Sequence, residues 1–314
     1  MKTYIIGHRK PDTDSVVAPM ALAYLYKQKD CFGYENPTPV ITEEINPETK
    51  YLLEKFNVQA PQIITSKDID SQDRVVLIDH NEESQRLEGL NPEQISDIID
   101  HHKANINFNS PIYLTFKAWG SSATIVYFLM RQNDVAPDKT LASLMLAAIL
   151  SDTVGFKSAT CTPKDKEVGK ELAEIAEITD LESFTLEIFK AKSNISNLSD
   201  EQIVKNDYKV FEFDQKTFID QLETVEQEEI ISNKKEDLLK AMHQVKQDEN
   251  VQLLFVAVTD VLKVNTKLLV LGDEEKEVAQ KAFGGNVENN VLDIGSKMSR
   301  KKEIAPAIEK ALSK

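Results

Sequence analysis

Four of the chain's five histidines fall in three short stretches that are also rich in aspartate. GHRKPDTDS, at 7–15, sets His8, Asp12 and Asp14 directly after the apolar run Tyr4-Ile5-Ile6. VVLIDHN, at 75–81, adds Asp79 and His80, and DIIDHHKA, at 97–104, adds Asp100, His101 and His102. Imidazole nitrogen mixed with carboxylate oxygen, and no thiolate, suits Mn²⁺, Fe²⁺, Co²⁺ or Zn²⁺ better than an all-oxygen Mg²⁺ or Ca²⁺ cage. Any one of these residues alone has a plainer role: an Asp after a strand caps a turn, and a solitary His packs. Together they point to a metal site.

A fourth carboxylate comes from LASLMLAAILSD, an apolar helix ending in Ser151-Asp152. The C-terminal end of a helix carries partial negative charge, so an Asp there is unfavourable without a nearby cation. The alternative is that the helix breaks earlier and Asp152 caps the next turn. Asp12, Asp14, Asp79 and Asp152 would repel one another if left unbalanced, and two divalent ions balance them. Two ions about 3.5–4 Å apart form the usual clamp for in-line attack on phosphorus, where they acidify a shared water and stabilise the departing oxygen. An anionic substrate then needs positive charge from elsewhere. SKMSRKK, at 296–302, holds Lys297, Arg300, Lys301 and Lys302 with no acid among them. Arginine forks onto phosphate oxygens and lysine adds point charge; a solvated basic turn is the competing account.

Elements must carry these residues to one place. Thr3–Gly7 reads as a strand, Ser15–Lys29 as a helix despite Pro19, and Val40–Thr42 as strand-like. Pro47–Phe56 reads as helical and Gln62–Thr65 as strand-like. Arg74–His80 and Asp97–Asp100 are apolar runs of the buried-strand type. This alternation implies a doubly wound, mainly parallel α/β sheet with crossover helices. In such sheets ligands bind beyond the carboxyl ends of the strands, which is where His8, Asp79 and His101 stand. Residues from Ser121 to about Phe189 are mostly helical, and the polar stretch 192–199 is the expected linker. Beyond it a smaller α/β segment holds a long charged helix around Glu226–Gln247 and the strands VQLLFVAVTD and TKLLVLGD. The expected division is a metal-binding domain at 1–191 and a substrate-binding domain at 200–314, with the active site in the cleft between them.

At 314 residues the chain has room for two domains. Its net charge of −15 disfavours broad binding to nucleic acid. No run of 18 apolar residues suggests a membrane span, and the start lacks the apolar core of a secretory signal. Cys31 and Cys161 are isolated and fit idle thiols in a reducing cytoplasm. His243 and Trp119 are expected to serve the surface and the packing respectively.

The assembled motifs resemble the DHH phosphoesterase superfamily, and within it the manganese-dependent (family II) inorganic pyrophosphatases. GHRKPDTDS, LIDHN, IIDHH, LSDT followed by FKSATCT, and SRKK occur in that family's order and span residues 5–302. The resemblance implies an N-terminal DHH domain and a C-terminal DHHA2-type domain. It implies two Mn²⁺, with Co²⁺ a possible substitute: one ion on His8, Asp12, Asp79 and Asp152, the other on Asp14, Asp79, His101 and Asp152. It makes His102 the catalytic proton donor or phosphate contact. It gives pyrophosphate to Lys209, Arg300 and Lys301, with Lys205 as the competing lysine and an additional Mg²⁺ arriving with the substrate. The implied activity is hydrolysis of pyrophosphate to two orthophosphates by an activated hydroxide, in a cytoplasmic homodimer. Where the family's tail continues with Gln after SRKK, this chain has Glu303.

A nuclease or cyclic-dinucleotide phosphodiesterase of the same superfamily is the alternative. Those enzymes carry a Gly-Gly-Gly-His type motif, which FGGN at 283–286 approaches without the His. A non-catalytic metal or phosphate sensor would be expected to lack a ligand, and none is missing. The short stretch between His80 and Ile99 leaves no room for a nucleotide-binding regulatory insert.

Overall fold

The computed structural model describes residues 1–29, 33–195 and 198–313; Cys31 and two residues of the expected linker, 196 and 197, lie outside them. The chain divides into two compact units, Met1–Lys192 and Ser193–Lys314.

In the first unit, β1 (Thr3–Ile6), β2 (Pro37–Ile41), β3 (Gln62–Ile63), β4 (Arg74–Ile78), β5 (Ile95–Asp100) and β6 (Tyr113–Phe116) form one sheet in the order β3-β2-β1-β4-β5-β6. Every pairing is parallel. This is the doubly wound order, and its direction reverses between β1 and β4. Ile5, Val76, Ile78 and Ile99 face a core shared with α1 (Thr13–Gln28), α3 (Ser122–Gln132), α4 (Lys139–Asp152) and α5 (Pro163–Ala176). α2 (Pro47–Lys55) and α6 (Leu181–Lys192) close the same side. Tyr4, Ile6, Val75, Leu77 and Ile98 point the other way, against Ile64, Ile69 and Leu87 from the connecting turns. Burial on both faces explains why these strands read as continuous apolar runs rather than alternating ones.

Two departures from the sequence expectation have local causes. β2 begins at Pro37, earlier than expected, because Pro37 and Pro39 share the parity of Ile41, whose carbonyl faces β3. β3 pairs only with Val40 and Ile41, so no ladder bond is asked of either proline. β6 was not anticipated: it is an edge strand with Tyr113 and Leu114 exposed, so it lacks the apolar signature.

Pro19 also has a role. It cannot donate to the carbonyl of Ser15, and that carbonyl lies against Gly7, where an added Cβ would come within 2.0 Å of it. The glycine lets α1 start directly over the end of β1.

The second unit holds α7 (Asp200–Val204), β7 (Tyr208–Glu212), β8 (Lys216–Thr224), α8 (Gln227–Asp248), β9 (Leu253–Asp260), β10 (Asn265–Val270), α9 (Asp273–Phe283), β11 (Val291–Asp293) and α10 (Ala305–Leu312). Its sheet runs β11-β10-β9-β8-β7. Only β8 and β9 pair in parallel, joined by α8 as the crossover. α8 buries Ile230, Leu238, Met242 and Val245 on one face of the sheet, while α9 and α10 cover the other. His243 is exposed on α8. No described helix is long and apolar enough to cross a membrane.

Candidate metal centre

His8, Asp79 and His101 follow the carboxyl ends of β1, β4 and β5, and β1 and β4 are neighbours at the point where the strand order reverses. Asp79 is buried and takes a left-handed backbone conformation, φ 65°, with its N–H on the carbonyl of Ile99 at 2.9 Å. Asp is among the few residue types that tolerate this conformation. Its two carboxylate oxygens are divided between two histidines. Oδ2 lies 3.5 Å from His8 Nε2, and Oδ1 lies 3.2 Å from His101 Nε2.

Both imidazoles are oriented by backbone carbonyls. His8 Nδ1 meets Arg9 O at 2.7 Å, and His101 Nδ1 meets Trp119 O at 3.0 Å. If Nδ1 carries the proton in each, Nε2 presents a lone pair toward a carboxylate oxygen, an arrangement that requires a proton or cation between them. Trp119 therefore contributes its carbonyl as well as packing; its ring stands edge-on to Phe128.

Asp12 caps α1 through Ser15 N and lies 3.5 Å from His8 Nε2. Burial disfavours the charge on each, yet their mutual hydrogen bond and attraction prevail: His8 is raised to about 9 and Asp12 lowered to about 2. A cation arriving at Nε2 would displace that proton.

Asp14 is held from the other direction. It accepts from Ser121 Oγ at 2.8 Å, Ser122 N at 2.6 Å and Ala123 N at 2.9 Å, at the start of α3. The orphan N–H groups and positive end of that helix suit a carboxylate. Ser122 Oγ also donates to Asp79 Oδ1 at 3.0 Å. Asp165 anchors this loop from α5, accepting from Gly120 N at 2.9 Å and Thr124 Oγ1 at 2.7 Å. Ser121, Ser122 and Asp165 were missed by the sequence reading. Their sequence signals are the Ser-Ser pair opening an apolar helix and the Thr162-x-x-Asp165 capping pattern that opens α5.

α4 runs through to Asp152, so the helix does not break earlier. The carboxyl sits at the negative helix end beside Asp14, and its pKa is raised well above the ordinary range by burial first, then by Asp14, Asp12 and Asp79. Asp79 is raised likewise, by burial and then by Asp14 and Asp12. The six residues fall into two trios, His8-Asp12-Asp79 and Asp14-His101-Asp152. Within each trio the donor atoms lie within 4.8 Å of one another. A third trio of the same compactness joins Asp79, His101 and His102. Nitrogen and oxygen donors converging on excess buried negative charge fit divalent transition-metal ions.

Around this centre, buried Asp100 accepts from His102 Nδ1 at 2.9 Å and from Asn81 Nδ2 at 2.5 Å. Burial alone would raise Asp100; these bonds outweigh it and its pKa falls. The same bond raises half-exposed His102 and leaves Nε2 as the nitrogen available to a ligand. His8, Asp79, His80, His102 and Lys103 line a cleft of about 270 Å³. His80 is different: burial lowers it to about 4, so it is neutral, with Nδ1 on Ile78 O at 3.0 Å.

The expected substrate contacts belong to the second unit. Lys209 lies on β7, exposed, its Nζ 5.4 Å from the Phe211 ring centre. Lys205 is committed to Glu249 at 2.9 Å and Glu201 at 3.6 Å, whereas Lys209 has no carboxylate partner among the described residues. Arg300 and Lys301 open a π-type turn, Arg300–Ile304. Glu303 Oε2 accepts from Met298 N at 3.0 Å and Ser299 N at 3.2 Å, so the departure from Gln still braces the tail.

Residues 2–149 match the DHH family, N-terminal domain, and residues 186–311 match the DHHA2 domain. A parallel sheet bearing clustered His and Asp at its switch point, followed by a DHHA2 domain, defines a DHH-type metal-dependent phosphoesterase. The chain is 39% identical over 319 residues to the manganese-dependent inorganic pyrophosphatase of Methanocaldococcus jannaschii, covering 98% of each. It is 36% identical to a probable enzyme of the same name from Staphylococcus haemolyticus, covering 100% of this chain and 99% of the relative. A solved structure, of a Methanococcus jannaschii putative family II inorganic pyrophosphatase, superposes with a TM-score of 0.62 at 37% identity, covering 98% of this chain and 99% of that one. The chain belongs to the manganese-dependent inorganic pyrophosphatase family.

Proposed function

We propose that this chain hydrolyses pyrophosphate, with one water consumed and two orthophosphates released. The observation that carries this reading is the position of Asp79, one carboxylate oxygen facing the Nε2 of each of two histidines. His8, Asp12, Asp79 and Asp152 would hold one Mn²⁺, and Asp14, Asp79, His101 and Asp152 the other, with Co²⁺ as a workable substitute. When bound, the ions supply neutralisation of the carboxylates, a more acidic water and stabilisation of the departing phosphate.

The chain's own groups do the rest. Arg9 O and Trp119 O fix the tautomers of His8 and His101, so that both present Nε2 to the centre. The start of α3 holds Asp14 in place. Asp100 orients His102 and favours its protonated form, which leaves Nε2–H as the donor to a phosphate oxygen as the P–O bond breaks. The second unit supplies the cations that bind substrate: Lys209, Arg300 and Lys301, with Mg²⁺ accompanying the pyrophosphate. A cytoplasmic homodimer is the assembled form, and we assign the pairing surface to the free edge of β6.

Phosphate release from pyrophosphate, measured alongside elemental analysis of the purified protein, tests the proposal. Two transition-metal ions per chain are expected, with activity lost to EDTA and restored by Mn²⁺ or Co²⁺ better than by Mg²⁺ alone. Full activity with Mg²⁺ after exhaustive chelation would refute the mixed nitrogen and oxygen site.

A further inference from the structure

Arg300 is not presented as an open fork. Its Nη2 donates to Asp207 Oδ1 at 3.0 Å, its backbone N–H donates to Gln221 Oε1 at 2.8 Å, and Nη1 is buried without a partner among the described residues. The arginine side chain is only 16% exposed, whereas that of Asp207 is 64% exposed. Asp207 is itself tethered through its backbone, since its N–H donates to Asp220 Oδ1 at 2.8 Å. Asp220 is fully buried, and its second oxygen lacks a hydrogen-bond partner among the described residues. A buried acid thus fixes the backbone of residue 207, and a solvent-facing carboxylate occupies Nη2 of the guanidinium. Lys209, two residues on and within β7, has no such occupant among the described residues.

We propose that Asp207 is a stand-in anion, holding the place of a phosphate on Arg300 until pyrophosphate or product phosphate displaces it. The inference rests on the reading of Arg300 as a phosphate contact and adds what sets its affinity. A guanidinium N–H binds the more highly charged phosphate oxygen more strongly than a carboxylate oxygen. An exposed ion pair is weak, so the exchange is easy in both directions. The carboxylate weakens the grip on substrate slightly and, by the same contact, helps expel product.

Asp207→Asn keeps the size and the backbone N–H of the residue and removes the competing charge. Its KM for pyrophosphate and its inhibition constant for orthophosphate should both fall, by about two- to fivefold if the pair has the strength of an ordinary exposed one, with metal content unchanged. A rise in either constant, or no change, would overturn the proposal. Arg300→Ala supplies the second arm. If it leaves KM unaltered, the reading of Arg300 fails and the stand-in falls with it; if it raises KM while Asp207→Asn does not tighten binding, the stand-in alone fails. In the Arg300→Ala background, Asp207→Asn should no longer tighten binding. Glu212→Gln, an equal charge change at the far end of β7, should leave both constants unmoved. Equal tightening in either control would assign the effect to charge at a distance and reject the contact.

Discussion

At the level of single residues, the metal centre is a set of charges that the fold alone does not stabilise. Asp152 ends α4 at its negative pole and lies against Asp14. Asp152→Asn should therefore make the metal-free protein more stable, by roughly 1 kcal/mol from the helix end alone, while weakening metal retention. Thermal melts in EDTA and in Mn²⁺ check this: the variant should melt above the parent in the first and below it in the second. Asp220, in the second unit, makes a matching case. Burial, partly offset by the bond from Asp207 N–H, raises it to about 7. An acid raised in the folded state costs nothing below its unfolded value near 3.8; the cost builds up as pH climbs from there to about 7 and levels off above it. At pH 8 it amounts to roughly 4 kcal/mol. Asp220→Asn should raise the melting temperature at pH 8 and leave it almost unchanged near pH 4; a pH series of melts that runs parallel to the parent's would reject this.

At the level of elements, the centre depends on how closely α1 starts over β1. Gly7→Ala would drive a methyl into the Ser15 carbonyl and push apart the two segments that carry His8 and Asp12. Loss of metal together with destabilisation of about 1–3 kcal/mol is expected, read by elemental analysis and denaturant unfolding. Much of this architecture was legible. His8, Asp12, Asp14, Asp79 and His101 sit in local motifs beside buried apolar strands, and such strands announce themselves. The rest was hidden for physical reasons. β7 (YKVFE) and β8 (KTFIDQLET) interleave lysines and acids with apolar residues, so neither presents a long continuous apolar run and neither strand was anticipated. The support that Ser121 and Ser122 give to Asp14 joins residues more than a hundred positions apart. Nor could spacing reveal that Asp207 occupies Arg300.

At the level of the whole molecule, each unit has its own sheet and cores, so the proposed metal ligands and the basic tail belong to separately packed bodies. A chain of net charge −15 that keeps Arg300, Lys301 and Lys302 in succession concentrates its attraction for anions in a small region. The β6 edge is the other exceptional surface: Tyr113 is 76% exposed and Leu114 46% exposed, on a strand with one side unpaired. Exposed apolar edges invite strand addition. If a second copy pairs there, Leu114→Lys should shift the sedimentation coefficient from dimer toward monomer without altering metal content. An unchanged coefficient would move the interface elsewhere.

The left-handed turn at Asp79 has a consequence for what mutation can do to this chain. Only Gly, Asn and Asp take up that backbone shape cheaply, so the position is guarded twice, by geometry and by charge. Among all replacements scored for soluble, folded yield, Gly and Asn should rank first and β-branched residues last, whatever becomes of turnover. Inactive descendants that persist as stable proteins would then be expected to carry one of those two residues at this site.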